Sequence, residues 1–174
     1  IILGMGRAED DIALSKQIEK RGIYSKAKAF IVASIKLFKD ELGDNSEGYL
    51  SASQWERGVQ IEPDIGPTPL EFFSNFKSEY YKEPDYVAAQ GYNIGLIIEK
   101  CIQMTGTLED LTLRQAALQA DFKTFYGKFR TDDEGNQIGH EMVVIQWQKG
   151  EKVIVDPESA AQAQFIYPKG RRPM

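Results

Sequence analysis

Apolar positions along the chain switch repeatedly between a strand-like and a helix-like rhythm. Residues 1–3 form a short β-branched run that ends at Gly4, which predicts a buried strand. Residues 10–21 follow with Ile12, Leu14 and Ile18 on one helix face, and Gly22 stops that helix. A second strand is predicted over 28–33 (KAFIVA), a short helix over 35–42 closed by Gly43, and a third strand over 47–52 (EGYLSA). Strand, helix, strand, helix, strand in this order implies parallel pairing through right-handed crossovers. Residues 56–69 lose all periodicity and hold Gly58, Pro63, Gly66, Pro67 and Pro69, so they read as a connecting loop. Thr68 is placed to cap a helix that has Pro69 in its first turn and runs to about residue 81. The longest helical pattern is 85–105, with Val87, Ile94, Leu96, Ile98, Cys101 and Ile102 making a broad apolar surface and Gly106 ending it. Its small residues Ala88, Ala89, Gly91 and Gly95 predict close packing against a sheet. A helix over 111–120 follows, then strand-like runs at 126–131, 141–148 and 151–155, with Lys149-Gly150 as a tight hairpin turn between the last two. The predicted class is α/β: a parallel Rossmann-like sheet with flanking helices and a C-terminal β-hairpin.

Composition narrows the chemistry. The 174 residues are 42% hydrophobic and 27% charged, ordinary values for a folded domain with a real core. The net charge of −5 is spread along the chain, which argues against a nucleic-acid partner. No apolar run approaches the roughly 18–20 residues needed to cross a bilayer. A single cysteine, Cys101, excludes an internal disulfide and reads as a buried, inert thiol. With a single histidine, His140, beside it, a zinc site of the usual ligand types or a Cys/His nucleophile pair is not expected. His140 follows Gly139 at a strand edge and reads as a surface or capping residue. No cofactor is expected.

Three motifs invite a sharper reading. Gly4-Met-Gly6 lies between a strand and a helix, but Glu9 stands where a third glycine would belong, and Glu9, Asp10 and Asp11 crowd the helix start where a pyrophosphate needs positive potential. The second strand ends at Ala33-Ser34 with no acid for a ribose, so a nucleotide-dependent enzyme is the weakest reading. The run Asp132 to Asn136 lacks the alternating ligands and distal Glu of a calcium loop and reads as a solvated turn. What remains are the turns beyond the strand C-termini, where open parallel sheets bind ligands: Gly6-Arg7-Ala8 after the first strand and Ala33-Ser34-Ile35 after the second. Arg7 stands out, because a planar guanidinium takes a carboxylate through two parallel hydrogen bonds. Its bland alternative is a salt bridge to Glu9 or Asp10.

Four segments together resemble the type I periplasmic solute-binding proteins of the Leu/Ile/Val-binding family: GMGRAEDDIALSKQIEKRG, LGDNSEGYLSASQW, YVAAQGYNIGLIIEKCIQMTG and DFKTFYGKFRTDDEGNQIGHEMVVIQWQKGEKVIVDP. Their order and spacing are similar to the C-terminal portion of that family over nearly the whole chain. The resemblance implies two α/β lobes joined by crossing strands, with a small ligand in the cleft between them and hinge closure around it. It implies that residues 1–55 are part of the second lobe and end in a hinge strand, that 56–120 return to the first lobe, and that 121–174 cross the hinge again and finish with the second lobe's hairpin. The chain, which begins inside a strand, is then a fragment of a protein found in the periplasm or outside the cell. The implied ligand residues are Arg7, Ala8, Ala33 and Ser34, with Trp55 and Tyr92 bordering the hinge side of the cleft or serving in the core. Amino-acid binders of the family carry an acid after the second strand. Residues 29–35 contain none, so an amide or another carboxylate fits at least as well as an amino acid. The implied function is the non-catalytic, substrate-binding component of an ABC importer whose partner is a membrane permease, with a ligand-sensing domain on the same scaffold as the alternative. Sheet edges left open would favour a homodimer.

Overall fold

In the computed structural model, which describes residues 1–168, the elements follow in the order β1 (Ile2–Gly4), α1 (Ala8–Lys20), β2 (Lys28–Phe30), α2 (Lys36–Leu42), β3 (Tyr49–Ser53), α3 (Pro69–Tyr80), α4 (Tyr86–Thr105), α5 (Asp110–Gln119), β4 (Asp121–Thr124), β5 (Gly127–Arg130), β6 (Val143–Gln148) and β7 (Glu151–Asp156). They divide into two units. One holds Ile1–Ser53 together with the described residues from Val143 on; the other is Gln54–Met142.

The first unit is built on a five-stranded sheet of order β1-β2-β3-β6-β7. Pairing is parallel from β1 to β3, and β6 and β7 continue the sheet as antiparallel strands. This is the α/β class that the alternating pattern predicts. Gly4 closes β1 because the Phe30 ring of β2 occupies the space a Cβ would need. Beneath α1, Ile12 and Ile18 are buried, and Phe38 of α2 packs against the Tyr49 ring at 5.2 Å. The β6–β7 turn is the predicted one: Lys149 (φ 55°) and Gly150 (φ 83°) both take left-handed conformations, as a type I′ turn requires. The Glu47 carboxylate accepts both turn amides, at 2.6 and 3.1 Å.

The predicted strand 28–33 is shorter than its apolar run. After Phe30 the chain turns into a single 3₁₀ turn, Ile31–Ser34. Donors from elsewhere replace the ladder there. Ser51 Oγ donates to the Ile31 carbonyl at 2.9 Å, Trp147 Nε1 to the Ala33 carbonyl at 2.7 Å and Lys152 Nζ to the Ser34 carbonyl at 2.8 Å.

The second unit packs around Trp55, Phe72, Ala89, Phe125 and Tyr126. Thr68 and Glu71 form a full capping box at the start of α3, with Pro69 at the first helical position. Asp85 caps α4 by accepting from the Ala88 amide at 2.9 Å, and Gly106 (φ 68°) ends it. The small residues of α4 divide: Ala89 is fully buried in the aromatic cluster and, on the same helix, Asn93 accepts from Thr124 of β4 at 2.6 Å, whereas nothing among the described residues lies within 4 Å of a Cβ built at Gly91 or Gly95, and Val87, Ile94 and Ile98 are exposed. Cys101 is buried, and burial raises its thiol pKa.

This unit also holds a hairpin, of which the sequence predicts the second strand, 126–131, but not the first. β4 and β5 pair antiparallel around Phe125 and Tyr126, which are buried in the aromatic cluster. With bulky rings in place of turn residues, the usual hairpin signal is missing. The hairpin and the residues after it stay with the second unit up to Met142, so the chain re-enters the first unit at Val143 and not near residue 121. Gln162 and Ala163 lie beside β7: their amides donate to the Ile154 carbonyl, and Gln162 Oε1 accepts from the Ile154 amide at 3.0 Å.

Candidate functional site

The turn after β1 is held from within. The Gly6 amide donates to Asp11 Oδ1 at 3.0 Å, and a Cβ at Gly6 would meet that oxygen at 2.6 Å. Packing on Phe30 therefore explains Gly4, and the carboxylate of Asp11 explains Gly6, with no phosphate required. Asp11 itself is buried, and its second oxygen has no hydrogen-bond partner. This buried acid sits at the strand end where sequence reading looked only for an acid after β2.

Arg7 is the N-cap residue of α1 in an extended conformation (φ −75°, ψ 164°). Its side chain is exposed, and no ion pair among the described residues involves it. The bland alternative, pairing with Glu9 or Asp10, is not what the structure holds. A solvated guanidinium beside the first amides of a helix can receive an anionic or carbonyl oxygen. Ala8, the first helical residue, is half-buried beside it.

Ala33 and Ser34 are differently placed. They are 0% and 1% exposed, and their carbonyls are taken by Trp147 and Lys152 of the C-terminal hairpin. As side chains they face the interior of the unit, so the second turn offers a ligand no side-chain contact at these positions. The reason is the 3₁₀ turn, which swings 31–34 under β6 and β7 instead of carrying the strand to an open end. Signals for this exist in the sequence only as isolated polar residues far along the chain, Trp147 and Lys152.

Trp55 and Tyr92 belong to the second unit, and the structure brings them together on shared partners. The Phe72 ring lies 5.5 Å from Trp55 and 5.3 Å from Tyr92, and Phe125 lies 5.9 and 5.8 Å from the same two rings. Trp55 is 2% exposed and donates its indole N–H to the Phe125 carbonyl at 3.1 Å, which is the core role. Tyr92 is 50% exposed.

Two polar side chains that the sequence left aside stand out in this unit. Tyr126 and His140 stack with ring centroids 5.0 Å apart and planes 16° from parallel. The Tyr126 hydroxyl and His140 Nε2 are both buried without a partner. Burial, with Tyr86 close by, pushes the Tyr126 hydroxyl up to about 12, and burial lowers His140 below the ordinary imidazole value. His140 is thus a packed residue and not a surface cap. The Asp132 carboxylate accepts from the amides of Glu134 and Asn136 and from the Asn136 side chain, which hold it below the usual carboxylate range in an exposed turn. Among the described residues no group of three or more His, Cys, Asp or Glu could hold a metal ion, and no helix is long and apolar enough to cross a membrane.

Comparison with known proteins agrees with this architecture. The fold is similar to a leucine-binding protein from Thermotoga maritima (TM-score 0.74, 19% identity, 88% of this chain and 43% of that one). It is also similar to a putative branched-chain amino acid ABC transporter protein from Silicibacter pomeroyi (TM-score 0.69, 16% identity, 92% and 44%) and to an extracellular ligand-binding receptor from Rhodopseudomonas palustris HaA2 (TM-score 0.70, 18% identity, 84% and 45%). The chain spans less than half the length of each. A family model described as periplasmic binding protein matches residues 1–152. With that match running from the first strand into β7, the chain belongs to the periplasmic binding protein family.

Proposed function

We propose that the chain is part of the substrate-binding component of an ABC importer, which works in the periplasm or outside the cell, takes up a small polar solute and presents it to a membrane permease. In this reading the first unit belongs to the second lobe of the whole protein, and Gln54–Met142 belongs to the first. The solute is an amino acid, an amide or another carboxylate, and the protein catalyses nothing. One observation carries the reading: Arg7, at the turn beyond β1, presents an exposed guanidinium that no carboxylate among the described residues engages. Family membership supports the class of protein, and the printed descriptions of the similar structures, a leucine-binding protein among them, support the class of ligand.

Arg7 would receive the solute's carboxylate, and Ala8 would leave room for it. Ala33 and Ser34 support the turn from inside. Trp55 serves as core, while Tyr92 keeps an exposed edge from which it could line a site. Losing a bidentate charged hydrogen bond costs about 1.5–3 kcal/mol. In the whole protein, Arg7→Ala is therefore expected to weaken binding of a carboxylate solute by roughly tenfold or more. Isothermal titration calorimetry reads this directly, and an unchanged affinity would remove Arg7 from the site.

A further inference from the structure

The chain passes between its two units twice, at Ser53–Gln54 and at Met142–Val143. The two crossings lie side by side, because β3 and β6 pair up to their ends with Ser53 opposite Val143. Just beyond, Gln54 Nε2 meets the Met142 sulfur at 3.1 Å. Two residues before Met142 stands His140. Its ring is clamped between three neighbours: Tyr126 stacks on one face, the Gly127 backbone sits where any Cβ would run into Nδ1, and the backbone of Gln54 accepts a hydrogen bond from the ring. One imidazole thus meets Gln54, the first residue of the second unit, and the β4–β5 turn, two residues before that unit ends at Met142.

The other ring nitrogen decides how this clamp responds to acid. Nε2 is sealed from water and has no partner, and the nearest polar group of the stack, the Tyr126 hydroxyl, is unpartnered as well. In the neutral ring Nε2 is an acceptor and tolerates this position at modest cost. Protonation turns it into a charged donor that needs an acceptor and finds none in place. The groups that face the ring do not offset this. Tyr126 stays neutral across the physiological range, Gly127 has no side chain, and the Gln54 backbone, which accepts from the ring, favours the charged form but is outweighed by burial. Glu141, the adjacent residue, favours the charged form but is outweighed by burial. Lys128, itself paired with Asp121 at 2.9 Å, and Arg130 of β5 pack beside Gly139, the residue before His140.

We propose that His140 is a pH-sensitive latch inside the second unit: as the neutral ring it ties Gln54 and the 140–142 segment to the β4–β5 turn, and protonation expels it and loosens both ends of that unit's chain. The direction follows from linkage. The ring titrates below the ordinary imidazole value of about 6.5 in the packed state. The latch is therefore intact above that value, and its contribution is lost as pH falls from there towards the packed-state value. The inference does not depend on which solute is bound, or on whether one is.

The test is a pH titration of the whole protein by NMR with ring-labelled histidine, the His140 signal being assigned by its absence in His140→Gln. The expected result is a His140 midpoint below that of an unstructured histidine peptide, with amide exchange at Gln54, Trp55 and Met142 accelerating across the same pH range. In His140→Gln, which keeps a neutral ring-sized amide, that acceleration should vanish while circular dichroism stays unchanged. A midpoint equal to that of the peptide, or exchange at Gln54, Trp55 and Met142 that ignores the titration, overturns the latch. Should His140→Gln fail to fold, Tyr126→Phe decides: it removes the unpartnered hydroxyl but keeps the stack and must leave the coupled titration in place. Loss of solute binding in the Arg7→Ala experiment would leave this outcome untouched, so the two readings fail separately.

Discussion

Lys28, Glu19 and Tyr49 show how strongly single residues are committed in this chain. Lys28 Nζ lies 2.6 Å from Glu19 Oε1, the two side chains being 5% and 15% exposed, and the Tyr49 hydroxyl donates to the same oxygen at 2.9 Å. Breaking a buried pair strands the surviving charge, at a cost of about 3–5 kcal/mol. Glu19→Gln should accordingly lower the unfolding free energy by roughly 3 kcal/mol in a urea titration; a midpoint within error of wild type would mean that the pair contributes nothing. The same environment sets the alkaline limit. Burial first, then the Glu19 charge, raises the Tyr49 hydroxyl far above its ordinary value, and burial raises Tyr126 to about 12. Both phenols ionise more readily unfolded, near pH 10, so stability is full below about 10 and drains away as pH rises beyond it. Thermal unfolding followed from pH 8 to 11.5 should show the melting temperature falling only above about pH 10, whereas a flat profile would show that neither tyrosine is sealed. None of this triad is legible in the sequence, where Glu19, Lys28 and Tyr49 are unremarkable residues on three different elements. Arg7 could be nominated from the sequence, because a topological rule names the turn after a parallel strand and a guanidinium has one obvious chemistry, and its ligand role stays a proposal.

At the scale of elements, local signals were followed where the chain had no competing partner. The capping box of Thr68 and Glu71 is a matter of residues three apart, and the structure holds both halves of it, with the Thr68 amide donating to Glu71 Oε2 at 2.8 Å. Thr68→Ala should cost about 1 kcal/mol, and Thr68→Ser nearly nothing, by chemical denaturation. Equal losses from both variants would show that the hydroxyl does not cap. Lys149-Gly150 was legible for the same local reason. The 3₁₀ turn at Ile31–Ser34 was not, because its carbonyls are satisfied by Trp147 and Lys152, more than a hundred positions away. The pairing of β4 with β5 was missed because Phe125 and Tyr126 make a turn by burying their rings, a tertiary cause with no local sequence mark. The apolar surface of α4 was read rightly as apolar, yet Val87, Ile94 and Ile98 remain exposed among the described residues. An apolar stripe tells what a helix could bury, not what lies against it.

At the scale of the whole molecule, two features tie fold to function. The sheet places the Arg7 turn at the end of a parallel strand, which is where the proposed function puts the solute. The five-stranded sheet ends on one side at β7, where the Gln162 and Ala163 amides donate to the Ile154 carbonyl, and on the other at the three-residue β1 edge, through which self-pairing of copies stays a proposal. So short an edge gives few backbone hydrogen bonds, and the solute-binding role does not require it. The most direct measurement is native mass spectrometry of the whole protein, purified without denaturation and then exposed to a panel of amino acids, amides and carboxylates. The account predicts one small solute per chain, retained from the cell or acquired from the panel, with occupancy sharply reduced in Arg7→Ala. A protein that carries nothing and acquires nothing from that panel would contradict it.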